Sequence, residues 1–500
     1  MADQVDNALR DFGYRTEKLR LSNTIALNSE KVGVTIDRRF RLNEINSLIR
    51  AGDELRKKFG SDILAKLAVA KIRADRDKSF GEFSDAVAES GVGAGKKVVN
   101  QRICHVIDSI KNKSELELLR LIYGDALLAI GVFSPLEVRR ANLHAARGFS
   151  DDDIKSLINT DSGEEFDHGQ SVRDTFPRCD FFLRVDSPIT GATESTAVAQ
   201  IVEKVRRLFS LVFRTSVVTP TAEEAAMYAS ASAARNSACL SRQVGAAVTS
   251  ASGEVLAVGW NDVPQPGGGL YGKSPLLALP RQAVDERCFS SDGRMCHNDN
   301  EKKLIAEKVA AALVDGNLIE RARQEDIVRT ILGNAAIGGL IEFSRAVHAE
   351  MHAILGAARL AGERVVGGKI FITTYPCHVC ARHIVAAGIT EIYYIEPYRK
   401  SLATKLHRDS ISEDVGEVGK VRILQFDGVA PRKFIEIFEA GERKKNGLLE
   451  LPVKTESAPA TRVSIKAIPR LEEVVVAEVT EKELNLLQVV QRDRDDGQVA

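Results

Sequence analysis

Two short motifs in the sequence carry the side chains of a catalytic zinc site. The motif H-A-E at 348–350 is followed, one strand-like run later, by the motif P-C-H-V-C at 376–380. Zinc takes imidazole nitrogen and thiolate sulfur in a tetrahedron, and a catalytic site leaves one of the four positions for water. His348, Cys377 and Cys380 would supply three ligands to Zn2+. The bound ion would then lower the pKa of that water to about 7.

Glu350 is the predicted proton carrier of this site. It lies two residues after His348, so on a helix its side chain points in a different direction from the ligand. A carboxyl group there can pass a proton to a ring nitrogen and to departing ammonia. The alternative is a structural zinc site, which fills its fourth position with another protein ligand. His378 is the obvious candidate, but its place directly beside Cys377 makes ligation of the same ion awkward. We interpret His378 as a neighbour of the site or a surface residue.

Alternating helices and strands must position these side chains. The first turn of a helix would put Cys377 and Cys380 on one face, near unpaired amide groups and the positive end of the helix dipole, which favour thiolates. An Ala-rich helix after Thr221 and a hairpin over 244–260 precede this region. Such alternation indicates an α/β domain built on one sheet. The predicted elements around the site are helix 346–361, strand 369–373, helix 377–387 and strand 391–395.

Length and charge bound the class of protein. The chain has 500 residues, more than the roughly 250–300 at which single hydrophobic cores stop growing. Lys and Arg number 69, as do Asp and Glu, so no global positive field would attract a polynucleotide. The first residues lack the apolar core of a secretory signal, and no later run is long enough to span a bilayer. Seven sparse cysteines are typical of a reducing compartment. We therefore expect a cytoplasmic protein without a membrane partner.

Three segments are expected along the chain. The first, residues 1–215, reads as an α/β domain, and the second, residues 219–445, as a three-layer α/β domain with its metal at helix starts. Residues 446–500 form a C-terminal tail without an assigned role. Cys104 and Cys179 lie in apolar contexts and are expected in the core. In the first segment, the patterns predict helices over 43–59 and 114–123 and strands over 127–133 and 179–185.

The two zinc motifs also carry a family resemblance. H-x-E with P-C-x-x-C is the arrangement of zinc nucleobase deaminases, and the sequence resembles the cytidine and deoxycytidylate deaminase superfamily. The segments SACLSRQVGA at 237–246 and GWNDVP at 259–264 look like the substrate side of deoxycytidylate deaminases. The resemblance implies that Asn261 contacts the sugar and that Arg242 lies near the phosphate. Amides pair with hydroxyls and guanidinium groups with phosphate oxygens. A turn-capping Asn261 and a solvated Arg242 are the alternatives.

The wider architecture is similar to a more specific group. A long insertion between 261 and 348, the N-terminal domain and the segments 396–410 and 426–434 resemble the two-domain deaminases of bacterial anti-phage defence. The likeness spans most of residues 1–440. It implies deamination of free dCTP or dCMP to dUTP or dUMP with release of ammonia, and a lowered deoxycytidine nucleotide pool. It also implies a homo-oligomer, commonly a hexamer, and an RNA antitoxin as a further partner. The preference between dCTP and dCMP stays open.

The N-terminal domain resembles P-loop nucleotide kinases, most clearly over 106–140. That family opens with a strand and a glycine-rich phosphate loop, whereas this sequence starts at what looks like the helix after the loop. The run SGVGAGKK at 90–97 departs from G-x-x-x-x-G-K-[ST], because Ser90 stands at the first glycine position and Lys97 replaces the hydroxyl residue. We interpret this run as a surface turn. We expect a kinase-like fold lacking its phosphate loop, and whether such a loop lies upstream of Met1 stays open.

Four further side chains raise the question of a second, structural zinc ion, which some deoxycytidylate deaminases carry. They are Cys239, Cys288, Cys296 and His297. Seven residues separate Cys288 from Cys296, a looser spacing than that of the usual ligand pairs. We favour thiols without a metal and leave the second zinc open.

Two other functions compete with deamination of free nucleotides. Editing of tRNA or single-stranded DNA would favour a cationic groove with stacking side chains, which the composition does not indicate. A binding module derived from an inactive deaminase would not need all of His348, Glu350, Cys377 and Cys380, which are intact here. The sequence therefore favours a zinc-dependent hydrolase acting on deoxycytidine nucleotides.

Overall fold

The computed structural model of the chain divides into two compact units. The first unit comprises Met1–Thr219 with Asp427–Ala500, and the second comprises Pro220–Phe426. The second unit therefore ends before residue 445, the end predicted for the zinc domain, and the predicted tail 446–500 is grouped with the first unit. The functions assigned to these segments stay predictions. The residues that the structure describes are 1–80, 102–147, 149–161, 172–191, 194–271, 285–290, 292–398, 401–459, 467–481 and 484, so the turn predicted over 90–97 lies outside them.

The N-terminal part of the first unit is a mixture of helices and short parallel strand pairs. Its helices are α1 Ala2–Arg10, α2 Leu21–Asn28, α3 Arg41–Phe59, α4 Ile63–Phe80, α5 Lys113–Tyr123, α6 Leu136–Arg147, α7 Asp151–Asp161, α8 Val172–Thr175 and α9 Glu194–Val212. Its strands are β1 Arg15–Arg20, β2 Ile103–Asp108, β3 Ile130–Phe133 and β4 Phe181–Arg184. Strand β1 pairs with β2 and β3 with β4, each in parallel register. The helices predicted over 43–59 and 114–123 correspond to α3 and α5, and the two predicted strands to β3 and β4.

The two cysteines expected in the core of this unit differ in burial. Cys179 is buried next to β4, whereas Cys104 on β2 is only partly buried. Burial raises the pKa of the Cys104 thiol to about 11 and that of Cys179 to about 12. Both thiols therefore stay protonated near neutral pH.

The second unit is built on one mixed sheet with the strand order β6-β5-β7-β8-β10-β9. Strand β5 runs antiparallel to β6 and β7, whereas β7, β8, β10 and β9 are parallel. Its strands are β5 Gly245–Thr249, β6 Val255–Trp260, β7 Lys369–Thr374, β8 Glu391–Glu396, β9 Ile411–Ser412 and β10 Val421–Gln425. Its helices are α10 Ala222–Ala234, α11 His297–Asp315, α12 Gln324–Gly333, α13 Ala335–Gly338, α14 Ala349–Ala361, α15 His378–Ala386 and α16 Ala403–Leu406.

Two glycines show that helices cover both faces of this sheet. A Cβ on Gly245 would lie 1.9 Å from the Ser230 carbonyl oxygen of α10. A Cβ on Gly259 would lie 2.4 Å from the Ala349 carbonyl oxygen of α14. Gly259 pairs with Ala246, the residue next to Gly245, and neighbouring residues of a strand face opposite sides. Helices α10 and α14 therefore lie on opposite faces, which gives the expected three layers of an α/β domain.

The C-terminal segment completes the first unit. Its elements are β11 Gly428–Val429, α17 Phe434–Phe438, β12 Lys444–Lys445, β13 Leu448–Leu449 and α18 Ile468–Glu481. Strand β11 pairs antiparallel with β4. On α18, Val475 and Val479 are buried in the same core as Leu64 and Leu119 of α4 and α5. The segment for which the sequence indicated no role is thus part of the hydrophobic core of the first unit.

Polar contacts fasten α18 to α4 as well. Lys66 Nζ donates to Glu478 Oε1 at 2.6 Å, and Arg73 Nη1 donates to the Pro469 carbonyl oxygen at 2.9 Å. Within the described part of the chain, no helix is long and apolar enough to cross a membrane.

Candidate active site

His348 is positioned by a short backbone bridge and by the start of a helix. It is the N-cap residue of α14, with φ −70° and ψ 153°, and its carbonyl oxygen accepts the first helical bond from His352 N. The preceding residue, Val347, donates its N–H to the Asp262 carbonyl oxygen at 2.9 Å. The helix therefore begins three residues later than predicted, because 347 bonds in an extended bridge rather than in a helical turn.

A close helix–strand contact brings α14 to the sheet. Gly259 on β6 lies so near the helix that a Cβ there would sit 2.4 Å from Ala353 N. On the helix side, Ala349, Ala353 and Ala357 are fully buried. Small residues on both elements allow this close approach, and it places the first turn of α14 at the end of β6.

The cysteine motif lies on the turn between β7 and α15. Cys377 is the N-cap residue of α15, and Cys380 N donates to Cys377 Sγ at 3.4 Å. Before it, the Pro376 carbonyl oxygen accepts a hydrogen bond from Ser401 Oγ at 2.7 Å. The predicted helix over 377–387 is thus confirmed with slightly shorter bounds, and its first turn carries the second sulfur.

The three predicted ligands converge. His348 Nδ1 lies 3.2 Å from Cys380 Sγ and 3.5 Å from Cys377 Sγ, and all three atoms lie within 4.8 Å of one another. Among the residues that the structure describes, this is the one group of three or more His, Cys, Asp or Glu side chains so arranged. One imidazole nitrogen and two sulfurs are a donor set that fits zinc and leaves a fourth tetrahedral position for another ligand. The cluster is consistent with Zn2+ as the cofactor.

Mutual hydrogen bonding shifts the pKa values of this cluster. The pKa of Cys377 is lowered to about 4, first by a hydrogen bond from the Cys380 thiol and then by His348. The pKa of His348 is raised to about 9, chiefly by its hydrogen bond with Cys377. The pKa of Cys380 is raised because its proton is shared with Cys377 and because the group is buried. A thiolate is therefore available at the first turn of α15 near neutral pH, which is the form that binds a metal.

Glu350 lies against the ligand cluster. It is on the first turn of α14, is 5% exposed, and its carboxyl group forms a hydrogen bond with the Cys380 thiol. Burial raises its pKa, and the negative charge of Cys377 raises it further. A carboxyl group with a raised pKa can hold a proton near neutrality and release it again. All four side chains predicted for the chemistry thus meet at the starts of two helices.

Asn261 forms hydrogen bonds with the loop before β5. Its Oδ1 accepts from Val244 N at 2.8 Å, and its Nδ2 donates to the Arg242 carbonyl oxygen at 2.8 Å. A side-chain amide has two donors and two acceptor sites, so one of each is left for another group. The Arg242 side chain is 47% exposed, and its Nη1 lies 3.9 Å from Glu396 Oε2. The sugar and phosphate contacts implied for these two residues stay predictions.

The four side chains considered for a second zinc have other neighbours. Cys296 Sγ lies 3.8 Å from Ser241 Oγ, and His297 Nε2 lies 3.4 Å from Arg345 Nη1. Cys239 and Cys288 are partly buried. His378, considered as a fourth ligand of the first site, lies with its Nε2 3.8 Å from Glu342 Oε1. The question of a second zinc stays open.

Two residues near the site were not predicted from the sequence. His352 accepts a hydrogen bond from Trp260 N at 3.2 Å through its Nδ1, with the two rings edge to face at 4.6 Å. Its spacing of one helical turn from His348 was a usable signal. Asp262 is a buried acidic residue directly after Asn261. The sequence shows the residue type and its place shortly after a predicted strand, but not its burial.

Comparison with known proteins finds a family match within the second unit. Residues 220–396 match the family model of the cytidine and deoxycytidylate deaminase zinc-binding region. This confirms the predicted likeness to those deaminases over the stretch that holds His348, Glu350, Cys377 and Cys380. The kinase-like N-terminal domain and the anti-phage architecture stay predictions.

Individual relatives match over parts of the chain. The deoxycytidylate deaminase of Enterobacteria phage T4 is 27% identical over 169 residues, 33% of this chain and 74% of that protein. The deoxycytidylate deaminase of Enterobacteria phage T2 is 36% identical over 85 residues, 17% of this chain and 43% of that protein. ComE operon protein 2 of Bacillus subtilis (strain 168) is 43% identical over 56 residues, 11% of this chain. The chain spans only 29% of the length of that last relative.

Among solved structures, the dCMP deaminase of cyanophage S-TIM5 in complex with dCMP and dUMP is similar at 19% sequence identity with a TM-score of 0.24. The likeness covers 42% of this chain and 99% of that one.

Proposed function

We propose that the protein catalyses the zinc-dependent hydrolytic deamination of free deoxycytidine nucleotides, converting dCTP or dCMP to dUTP or dUMP and ammonia. The single observation that carries the proposal is the convergence of one imidazole, two sulfurs and a buried carboxyl group at two helix starts. The family match over 220–396 and the two phage deoxycytidylate deaminases support the choice of substrate class.

His348, Cys377 and Cys380 hold the metal in this proposal. Zinc with three protein ligands supplies a coordinated water whose pKa is lowered to about 7. His348 and Cys377 are N-cap residues of α14 and α15, and these positions fix the ligand atoms before substrate arrives. Hydrogen bonds from the Cys380 thiol and from His348 lower the pKa of Cys377, so this sulfur is in the thiolate form that binds a metal.

Glu350 moves the protons. The net reaction adds water to the pyrimidine and expels its amino group as ammonia, so one proton must reach the ring nitrogen and another the departing group. A carboxyl group that is buried and has a raised pKa can accept the proton of the water and pass it on. Its burial also excludes bulk water, which would otherwise exchange protons with the reacting groups.

The substrate side lies on the loop before β5 and the end of β6. Asn261 contacts the sugar and Arg242 the phosphate in this proposal. Asn261 has one donor and one acceptor beyond its two backbone bonds, and the Arg242 side chain is half exposed. The guanidinium forms only a long ion pair with the half-exposed Glu396 and can form a two-pronged pair with phosphate oxygens, which supports a nucleotide rather than a nucleoside.

We extend the proposal to biological role and assembly from the resemblance alone. Depletion of the deoxycytidine nucleotide pool in anti-phage defence is what the resemblance to two-domain defence deaminases implies. A homo-oligomer, a kinase-like first unit and control by an RNA antitoxin are further predictions of that resemblance. These predictions do not depend on the deamination reaction, and a test of one does not decide the other.

A substrate panel tests the chemistry. The purified chain is incubated with dCTP, dCMP, CTP, cytidine and a deoxycytidine-containing oligonucleotide, and ammonia and the uracil product are followed. We expect turnover of dCTP, dCMP or both, with one zinc per chain. Activity on the oligonucleotide alone would indicate a polynucleotide editor, and zinc-loaded protein without activity on any substrate would indicate a binding module.

A matched pair of variants tests the role of the carboxyl group. Glu350→Gln is expected to lower kcat by at least about 100-fold while zinc content is unchanged, because the amide cannot carry the proton. Glu325→Gln, on the exposed first turn of α12, should turn over like the wild type. Retained turnover in Glu350→Gln would exclude the proposed role.

A further inference from the structure

A buried carboxylate lies directly beside the substrate residue Asn261. Asp262 is 1% exposed. Its Oδ1 accepts a hydrogen bond from Val263 N at 2.8 Å, and its Oδ2 accepts from Ala238 N at 3.2 Å and from Arg287 Nη1 at 3.3 Å. A buried carboxylate is costly unless it is paired, and the guanidinium of Arg287 supplies the opposite charge next to Asp262.

Arg287 is itself held in one place. Its Nε and Nη2 donate to the carboxylate of Asp285, at 3.0 and 2.7 Å. Its guanidinium lies 4.9 Å from the ring centre of Phe289 and 5.6 Å from that of Tyr271. A planar cation held by a two-pronged ion pair and two aromatic rings loses little further freedom when it also binds Asp262. This arginine belongs to the long insertion between β6 and α14, and the sequence analysis gave Arg287 itself no role.

Asp262 joins two parts of the proposed site. Through its side chain it holds Ala238, on the loop that carries Arg242. Through its carbonyl oxygen it holds Val347, the residue before the ligand His348. Residue 262 therefore contacts both the substrate loop and the backbone next to His348.

The neighbouring residue acts on the same loop. Asn261 bonds to the Arg242 carbonyl oxygen and to Val244 N, and its own carbonyl oxygen accepts from Ser237 Oγ at 2.6 Å. Residues 261 and 262 together thus hold the loop 237–244 at both of its ends. Arg287 is the cation that keeps one of these two anchors in place.

We propose that Asp262 and Arg287 are positioning residues for the reaction, through which the insertion fixes the loop 237–244 and the backbone before His348. This inference rests on the proposed function for its kinetic readout. Without Arg287, the buried carboxylate has only two amide donors and draws in water or moves toward solvent. The loop 237–244 then shifts, and Arg242 leaves the position from which it binds the phosphate.

Kinetics of Arg287 variants test the proposal. Arg287→Met is expected to lower kcat/KM for the nucleotide substrate by about 10- to 100-fold, mainly through a higher KM, with zinc content unchanged. Arg287→Lys keeps the positive charge and should give an intermediate value. Asp262→Asn combined with Arg287→Met should lose no more than the larger single loss, because the two side chains act as one unit. The control is Arg329→Met on α12, whose partner Asp326 is exposed, and it should match the wild type.

The outcomes separate positioning from mere stabilisation. A lower melting temperature in Arg287→Met with wild-type kcat and KM would overturn the proposal, as would a loss in Arg329→Met of the same size. If Arg287→Met does not fold, the double variant decides, because it removes both charges together. Wild-type KM in a folded double variant would also overturn the positioning role.

A second measurement does not depend on activity. Amide hydrogen exchange of residues 237–244 is expected to be faster in Arg287→Met than in the wild type and in Arg329→Met. If the zinc-loaded wild type deaminates none of dCTP, dCMP, CTP or cytidine, the proposed function fails, and this exchange still decides the inference. Equal exchange rates in the three proteins would overturn it.

Discussion

Each unit contains a pair of ionisable side chains in close contact, and the partners around the two pairs differ. The pair in the first unit is Arg56 and Glu115, and the pair in the second is His348 and Cys377. Arg56 Nε lies 2.9 Å from Glu115 Oε1, and both side chains are almost completely buried. The second carboxylate oxygen of Glu115 accepts from Asn112 N at 3.3 Å. In this pair opposite charges cancel and backbone donors satisfy the remaining oxygen.

The pair in the second unit is arranged differently. His348 and Cys377 meet a second sulfur, that of Cys380, and a buried carboxyl group, that of Glu350. The neighbours raise the pKa of His348 to about 9 and lower that of Cys377 to about 4. The imidazole nitrogen and the two sulfurs lie within 4.8 Å of one another, which is an arrangement that can hold a metal ion.

The difference shows that one pair of ionisable side chains contributes to fold stability and the other to metal binding. Where opposite charges pair in the core, as Arg56 does with Glu115 and also with Asp53, removal of the arginine is expected to destabilise the fold and leave the chemistry intact. Where candidate metal-ligand atoms converge, as at Cys377, removal of one of these side chains is expected to abolish metal binding. Four predictions test this contrast.

Removal of a metal ligand should have the largest effect. Cys377→Ala is expected to take bound zinc from one per chain to near none and to abolish deamination, because two ligands do not hold the ion in a three-ligand site. Metal analysis and ammonia release measure both. Cys179→Ala, at a buried thiol of the first unit, is the control and should keep its zinc. Full zinc occupancy in Cys377→Ala would contradict the assignment of the ligand.

A change in helix packing should act nearly as strongly. Gly259→Val places side-chain atoms where a Cβ already lies 2.4 Å from Ala353 N, so α14 must move and carry His348 with it. We expect kcat/KM to fall by about 100-fold or more, together with a partial loss of zinc. Gly333→Ala, where a Cβ meets nothing within 4 Å, should be neutral. Normal kinetics in Gly259→Val would show that α14 does not need this close contact.

Loss of the paired cation in the first unit should affect stability instead. Arg56→Met leaves the buried Glu115 carboxylate without its counter-charge, and burial already raises the pKa of that group. We expect the free energy of unfolding to fall by about 3–5 kcal/mol. Chemical denaturation measures it, with zinc content followed in the native protein, where it should not change. Arg41→Met, at an exposed arginine of α3, is the control. Loss of zinc without loss of stability would reverse the contrast between the units.

The smallest effect is expected at the contact between α4 and α18. Glu478 pairs with Lys66, but its side chain is 41% exposed. Glu478→Gln should therefore cost less than about 1 kcal/mol. A loss comparable to that of Arg56→Met would mean that this ion pair, rather than the apolar contacts of Val475 and Val479, attaches α18.

The helices and strands near the site were predictable from the sequence to within three residues. The two helices that carry the site differ from their predicted starts. The helix predicted from 346 begins at Ala349, and the helix predicted from 377 begins at His378. In the first case Val347 bonds to Asp262, which is far away in sequence. In the second, Cys377 takes the N-cap position and its sulfur accepts the amide of Cys380. Local propensity contains no information about either partner.

The C-terminal segment shows a larger gap. The pattern of 468–481 allows an amphipathic helix, yet nothing in the sequence indicated which surface would receive it. The structure packs α18 on α4, whose residues lie some four hundred positions earlier in the chain. The stabilisation that a hydrophobic helix face provides depends on the surface against which it packs. The sequence of the helix alone does not indicate which distant segment supplies that surface.

The candidate site was predictable from the sequence: the types of the candidate ligands, their spacing around one strand and the carboxyl group two residues from the imidazole. Those features are local, since ligand preference and helix-start geometry act over a few residues. Only the tertiary structure decided that Gly259 admits α14 to the sheet, that Asp262 receives Arg287 from the insertion, and that α18 completes the core of the first unit. These contacts join segments distant in sequence, and the close approach that makes each of them favourable exists only once the chain has folded.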